Sequence, residues 1–227
     1  DISGDLALDV TADTVKTLNL VSTVASDDGN LVVTAGSSDV IVTGAAALTF
    51  NASSTAAKID ASAATGVITA TASGTNEVVT TGSGRDVVTV TSTAATMAVD
   101  TNSGNDTINT AAVLTGTVDG GAGTDTLNIT GAIDLSGATI SNIEIVDINA
   151  NAVTVDEALL NGNAVVVDGT AALTVGNILS SLDLGNVSFS STASTVIDFA
   201  NRDASLGASG NFTVTGTGNI DLITTGN

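Results

Sequence analysis

Three segments align without gaps and decide the fold: Val79-Thr-Thr-Gly-Ser-Gly-Arg-Asp86, Val99-Asp-Thr-Asn-Ser-Gly-Asn-Asp106 and Val118-Asp-Gly-Gly-Ala-Gly-Thr-Asp125. They share the frame Val-x-x-x-(Ser/Ala)-Gly-x-Asp and recur at offsets of 20 and 19 residues. A period of this length matches one solenoid coil of two strands and two turns. The repeats therefore predict coils that pair in parallel, with the Gly-Asp turns stacked along one edge.

The rest of the chain carries short runs in which apolar residues alternate with Thr, Ser and Asn, as at 87–91, 165–167 and 212–215. Clusters of Gly, Asn, Asp and Ser bound these runs, which is the pattern of strands and turns. Helical patterns are limited to 156–160, with Asp156 as N-cap and Gly162 beyond the end, and to 177–182. We expect an all-β parallel β-solenoid (β-helix or β-roll) with single-turn helices at most.

The domain organisation follows from the same pattern. Residues 1–150 are predicted to form one continuous solenoid, with the Gly-Asp turns at 79–128. Residues 151–227 are predicted to be either a continuation of the solenoid or a second, small β-rich domain.

The amino-acid composition limits the classes of function that the protein can have. Hydrophobic residues make up 43% of the 227 residues but aromatic residues only 2%, which favours a layered aliphatic interior. Cysteine is absent, so metal ions are the expected substitute for disulfides. Histidine and tyrosine are absent as well, and Lys and Arg together number four. No usual pair of nucleophile and base can be assembled from these residues, so we expect no enzyme.

The net charge of −20 argues against two kinds of partner. Nucleic acid needs Lys and Arg to neutralise its phosphates, and an anionic membrane surface is disfavoured for the same reason. Separately, no run of 18 apolar residues is present to span a membrane. Carboxylates at this density repel one another in a compact fold, and divalent cations would relieve that repulsion. The alternative is that the charge only keeps the protein soluble.

The Gly-Asp turns predict a calcium site, because calcium takes six to eight oxygens from carboxylates and backbone carbonyls. Three stacked turns would form about two slots between them. The alternative is that each closing aspartate accepts backbone N–H groups at a solvated corner. The candidate residues are the carboxylate ligands Asp86, Asp106 and Asp125, the turn-shaping Gly82, Gly84, Gly104, Gly121 and Gly123, and the further carboxylates Asp100, Asp119 and, in a fourth copy at 214–221, Asp221.

Residues 120–128, Gly-Gly-Ala-Gly-Thr-Asp-Thr-Leu-Asn, match the nonapeptide G-G-x-G-x-D-x-U-x and resemble the repeats of RTX proteins from Gram-negative bacteria. Two further segments, Ile140-Ser-Asn-Ile-Glu144 and Ile59-Asp-Ala-Ser-Ala-Ala-Thr-Gly66, are similar to those of RTX-type bacterial S-layer proteins. The resemblance covers roughly residues 55–150. Two of the three turns lack the double glycine, which implies fewer calcium sites than in toxin-type rolls.

The resemblance implies a structural protein of the bacterial surface layer. Such a chain would leave the cell by type I secretion, fold on external calcium and self-assemble at the extracellular cell surface. Its partners would be other copies of itself in a lattice, and a cell-surface polysaccharide bound through a region outside this chain.

Two other functions stay open at the level of sequence. The chain is also consistent with the stalk or repeat region of a large RTX adhesin, which full-length context would distinguish from a lattice subunit. Pairs of the form T-x-T occur at 69–71, 89–91 and 213–215 and are also consistent with an ice-binding surface. Strand positions that face solvent produce such pairs in any case.

Overall fold

The computed structural model describes residues 7–9, 17–23, 31–34, 39–52, 58–73, 78–91, 97–176, 184–189, 195–198 and 220–223. The predicted fold class is confirmed, because these residues form parallel strands stacked as a β-solenoid. Helix is limited, within these ranges, to the four residues of α1 (Glu157–Leu160).

Sheet A is the longest sheet and contains ten parallel strands. Most coils contribute one strand to it, so hydrogen bonds run from coil to coil along the solenoid axis. Its strands are, in order, β1 (Ala7–Asp9), β3 (Leu31–Thr34), β5 (Leu48–Ala52), β7 (Ile68–Ala72), β9 (Val87–Val90), β12 (Thr107–Thr110), β15 (Thr126–Ile129), β18 (Ile145–Asp147), β20 (Val166–Asp168) and β22 (Ser188–Phe189).

Sheet B faces sheet A across the core in the first part of the solenoid. Its seven strands are β2 (Thr17–Ser22), β4 (Asp39–Gly44), β6 (Lys58–Ala64), β8 (Val78–Thr80), β10 (Ala98–Asp100), β13 (Thr117–Asp119) and β17 (Thr139–Ser141). Two short strands between the main sheets, β11 (Ser103–Gly104) and β14 (Ala122–Gly123), form a separate pair. A coil such as 87–106 therefore contributes one strand to sheet A and one to sheet B, as the period predicts.

The core consists of aliphatic columns that run along the axis. In sheet B, Val79, Val99 and Val118 lie in register on neighbouring strands, and each is at most 1% exposed. In sheet A the same holds for Ile108 and Leu127, both fully buried. The intervening residues, often Thr or Asn, face outward. Stacking side chains of similar size in each layer fills the interior without aromatic volume, as the composition predicted.

The cross-section changes after β15. Sheet C begins in the same coil in which sheet B ends, and it contains β16 (Ile133–Asp134), β19 (Val153–Asp156), β21 (Leu173–Gly176), β23 (Thr195–Asp198) and β24 (Ile220–Ile223). Helix α1 follows β19 and packs against β17, where it buries Leu159 and Leu160. The next coil thus carries a helical turn over the last strand of sheet B.

The structure describes one of the two segments that were predicted to be helical. Asp156 is the N-cap of α1, since its side chain accepts the N–H of Ala158, and Gly162 follows the end with a φ of 74°. The second candidate, 177–182, lies outside the described residues. Sheet A runs through residue 150 without a break, because β18 pairs with both β15 and β20. The division into domains stays a prediction.

Candidate functional site

The three predicted turns, 81–86, 101–106 and 120–125, lead from sheet B to sheet A on the same side of the solenoid. We call this side the Gly-Asp edge. The middles of two turns pair in parallel, with Ser103 opposite Ala122 and Gly104 opposite Gly123. The repeats recognised in the sequence are therefore stacked in register in space.

Glycine is required on this edge because successive turns approach closely. Gly104 has a φ of 144°, and a Cβ added there would overlap the carbonyl oxygen of Gly84 and lie 2.8 Å from Oδ1 of Asp106. Gly121 and Gly123 also have positive φ. Gly82 and Gly84 do not have positive φ. Glycine is needed there because a Cβ at either position would overlap a carbonyl of the preceding coil.

The closing aspartates form a ladder of hydrogen bonds from coil to coil. Oδ1 of Asp106 accepts the backbone N–H of Asp86 at 2.7 Å, and Oδ1 of Asp125 accepts that of Asp106 at 2.8 Å. Oδ1 of Asp86 accepts the N–H of Ile68 at 2.8 Å. All three side chains are buried, with at most 1% exposure. The three predicted carboxylate ligands thus lie in one column inside the edge.

The carboxylates in this column take the place of backbone acceptors. One coil before the ladder, at Leu48, the N–H donates to the backbone carbonyl of Val67 in the next coil. At Ile68, Asp86 and Asp106 the corresponding N–H donates to a carboxylate of the next coil instead. The aspartates thus accept N–H groups, as in the alternative that the sequence left open, but they do so at buried positions and not at solvated corners. This accounts for one oxygen of each carboxylate.

The second oxygens differ along the column. Oδ2 of Asp86 accepts the N–H of Gly82 at 3.2 Å, so both oxygens of that carboxylate have backbone donors. Oδ2 of Asp106 and Oδ2 of Asp125 are buried without any hydrogen-bond partner. A buried carboxylate oxygen without a partner is costly, because water no longer solvates its charge.

The pKa values reflect this environment. Burial raises the pKa of Asp106 to about 6; the N–H of Asp86 and the hydroxyl of Thr101 oppose this shift, and the charges of Asp86 and Asp125 add to it. Burial also raises the pKa of Asp125, against the N–H of Asp106, and the nearby charges of Glu144 and Asp119 raise it further. The inner edge is therefore a place where negative charge is unfavourable unless a proton or a cation balances it.

The other predicted carboxylates lie elsewhere. Asp100 and Asp119 open the turns, on the outer side of β10 and β13, where Asp100 is exposed and Asp119 half-buried. Their Oδ1 atoms accept the N–H of Asn102 and of Gly121, each at 3.0 Å. Asp221 lies within β24, opposite Val196 in sheet C, rather than in a turn of the Gly-Asp edge. Residues 214–219 of the fourth copy lie outside the described residues.

The set of predicted site residues omitted Glu144, which belongs to the same column. Its Oε2 accepts the N–H of Asp125 at 2.8 Å, the role that aspartates have in the coils before it. The signal was present in the sequence, because Glu144 follows Asp125 by the repeat offset of 19 residues. It was hidden because the turn before it, Ser141-Asn-Ile, has no glycine.

The donor chemistry of the Gly-Asp edge fits calcium. The edge offers carboxylate and carbonyl oxygens, and the two unpartnered Oδ2 atoms equal the number of slots expected between three turns. Among the described residues, no group of three or more His, Cys, Asp or Glu side chains is placed to hold a metal ion. A bound ion would therefore take most of its ligands from backbone carbonyls.

Comparisons with known proteins leave the site to be judged on its geometry. No protein-family model, curated protein or solved structure matches the chain. In the part of the chain that the structure covers, no helix is long and apolar enough to cross a membrane.

Proposed function

We propose that this chain is a structural component of a secreted bacterial surface layer, a calcium-stabilised β-solenoid that assembles into a lattice at the cell surface. The observation that carries the calcium part is the pair of buried carboxylate oxygens without partners, Oδ2 of Asp106 and Oδ2 of Asp125. Both belong to residues that the repeat pattern selects as ligands.

Calcium would resolve the electrostatic problem of the Gly-Asp edge. Each of these carboxylates already uses Oδ1 to join two coils, so protonating it would weaken a charge-assisted hydrogen bond. A divalent cation beside Oδ2 leaves that bond intact and supplies the missing positive charge. Asp106 and Asp125 would hold the ion through Oδ2, with backbone carbonyls of the glycine-rich turns completing its shell.

The structural role is supported by the form of the fold and by the sequence. The described residues make stacked parallel sheets whose outer faces carry mainly Thr, Asn and Asp. A chain without cysteine that works outside the cell would gain stability from such ions. The lattice role is proposed on the resemblance of residues 55–150 to RTX-type surface-layer proteins.

Calcium titration of the metal-free protein tests the proposal. Protein stripped with EGTA should gain circular-dichroism signal and melting temperature with calcium, and magnesium at equal ionic strength is the control. One site at free calcium 100-fold above Kd adds about 2.7 kcal/mol of stability. An unchanged melting temperature at millimolar calcium would contradict the proposal.

Assembly needs its own measurement. Electron microscopy of the full-length protein with calcium should show two-dimensional arrays that disperse in EGTA. Isolated filaments or extended stalks under the same conditions would support the adhesin instead.

A further inference from the structure

The last carboxylate of the inner column is Glu144, and the column ends there on structural grounds. In the next coil the equivalent position is Val165, which is buried and apolar. At the other end the column begins after Ile68, which donates its N–H to Asp86. Glu144 and Asp86 are therefore the two end members of the column, and each has a carboxylate neighbour on one side only.

Residues 141–144 are fastened to the preceding turn at several points. Oε2 of Glu144 accepts the N–H of Asp125, and the N–H of Glu144 donates to the carbonyl of Asp125 at 3.2 Å. Asn142, with a φ of 51°, donates its amide to Oδ1 of Asp119 at 2.7 Å. The glycine-free segment is thus held over the turn 120–125 by contacts with both its opening and its closing aspartate.

These contacts bring one backbone carbonyl and two carboxylates close together. A Cβ added to Gly120 would overlap the carbonyl oxygen of Asn142 and lie 3.0 Å from Oδ2 of Asp125. That Oδ2 is the buried oxygen without a partner, and the half-buried carboxylate of Glu144 lies against the backbone of the same aspartate. Gly120 permits this close approach, because the carbonyl oxygen of Asn142 and the side chain of Asp125 already occupy the position that a Cβ would need.

We infer that Glu144 completes the terminal cation slot of the Gly-Asp edge, together with Oδ2 of Asp125 and the carbonyl of Asn142. The slot suits a hard divalent cation of the size of calcium, since all its donors are oxygens and two are carboxylates. This inference rests on the proposed function, and it adds Glu144 and the carbonyl of Asn142 as ligands of the ion that Asp125 would hold through Oδ2.

Two variants of the full chain separate the roles of Glu144. Glu144→Gln keeps the length of the side chain and an oxygen that can accept the N–H of Asp125, but it removes the charge. Glu144→Ala removes both. Asp134→Asn is the matched control, because Asp134 is exposed, lies away from the edge and caps the N–H of Ser136, which asparagine can also do.

Calorimetric titration with calcium chloride tests the cation slot. Glu144→Gln should bind one ion fewer, or bind it about tenfold more weakly or worse, while Asp134→Asn binds as the wild type does. Melting in EGTA tests the hydrogen bond. There Glu144→Gln should match the wild type, and Glu144→Ala should melt at a lower temperature.

The outcomes distinguish this inference from the proposed function. If the wild type binds no calcium, the proposed function is overturned and the slot with it. If the wild type binds calcium and Glu144→Gln binds it with the same stoichiometry and affinity, only the slot at Glu144 is overturned. Equal melting of the wild type and Glu144→Ala in EGTA would overturn the place of Glu144 in the ladder.

Discussion

The two ends of a Gly-Asp turn use the same residue in different ways. Asp100 and Asp119 open their turns at the surface, and each accepts the N–H of the residue two positions later. Asp106 and Asp125 close the same turns in the interior, and each accepts an N–H from a coil that lies 20 or 19 residues earlier. The opening aspartate shapes its own turn, whereas the closing aspartate joins one coil to another.

The difference shows what burial adds to a common turn residue. At the opening end Asp100 is exposed and Asp119 is half-buried, so water can hydrate these carboxylates. At the closing end one oxygen is bonded and the other is buried alone, and the pKa of Asp106 rises to about 6. Only the closing end combines a structural hydrogen bond with an uncompensated charge, and that combination makes it the candidate for a cation.

The largest effect should come from filling the space at the closing end. Gly104→Ala should destabilise the fold by about 4 kcal/mol or more, because its Cβ meets the backbone of the preceding coil and its φ of 144° is unfavourable for alanine. Urea denaturation in EGTA measures the change. Gly162→Ala is the control at a turn with positive φ, where a Cβ meets nothing within 4 Å, and it should lose only about 1 kcal/mol. Equal losses would refute close stacking.

A smaller effect should appear in the pH dependence of the metal-free protein. The folded pKa of Asp106 is raised from 3.8 to about 6, so the folded state holds the proton more tightly than the unfolded state. This contribution to stability is present below pH 4 and is lost as the pH rises to about 6. Its size is up to about 3 kcal/mol, and the raised pKa of Asp125 acts in the same direction.

Urea midpoints from pH 4 to 7 in EGTA measure this dependence, with Asp106→Asn as the control. The variant should show a flatter profile because it carries no charge at this position. In saturating calcium the stability of the wild type should no longer decrease as the pH rises, since the ion compensates the charge of the carboxylate. A metal-free wild type whose stability rises through this window would show that the buried charge is not destabilising.

The smallest effect should be the difference in stability between alanine variants at the two ends of one turn. Asp106→Ala leaves the buried N–H of Asp86 without an acceptor and should lose about 2 kcal/mol at pH 5 in EGTA, where Asp106 is largely protonated. Asp100→Ala removes an exposed turn contact and should lose less than about 1 kcal/mol. If the two variants are equally stable, the ladder contributes nothing beyond local turn formation.

The sequence by itself determined the solenoid, the period and the edge on which the Gly-Asp turns stack. Repeats of 19 and 20 residues match the length of one solenoid coil, and the shared Val-x-x-x-x-Gly-x-Asp frame places the three copies between 79 and 125 in register. The single turn at α1 was also predictable, because Asp156 and Gly162 mark its two ends through local hydrogen bonding and backbone preference.

Only the tertiary structure decided which oxygens are free. Oδ2 of Asp86 accepts the N–H of Gly82 in its own turn, whereas Oδ2 of Asp106 is buried without a partner, so two copies of the same frame give a satisfied and an unsatisfied carboxylate. The place of Glu144 in the column was likewise fixed by the pairing of coils, because its turn lacks the glycine that marks the others. Sequence periodicity fixes which residues stack, but the contacts between coils fix what each stacked side chain can bind.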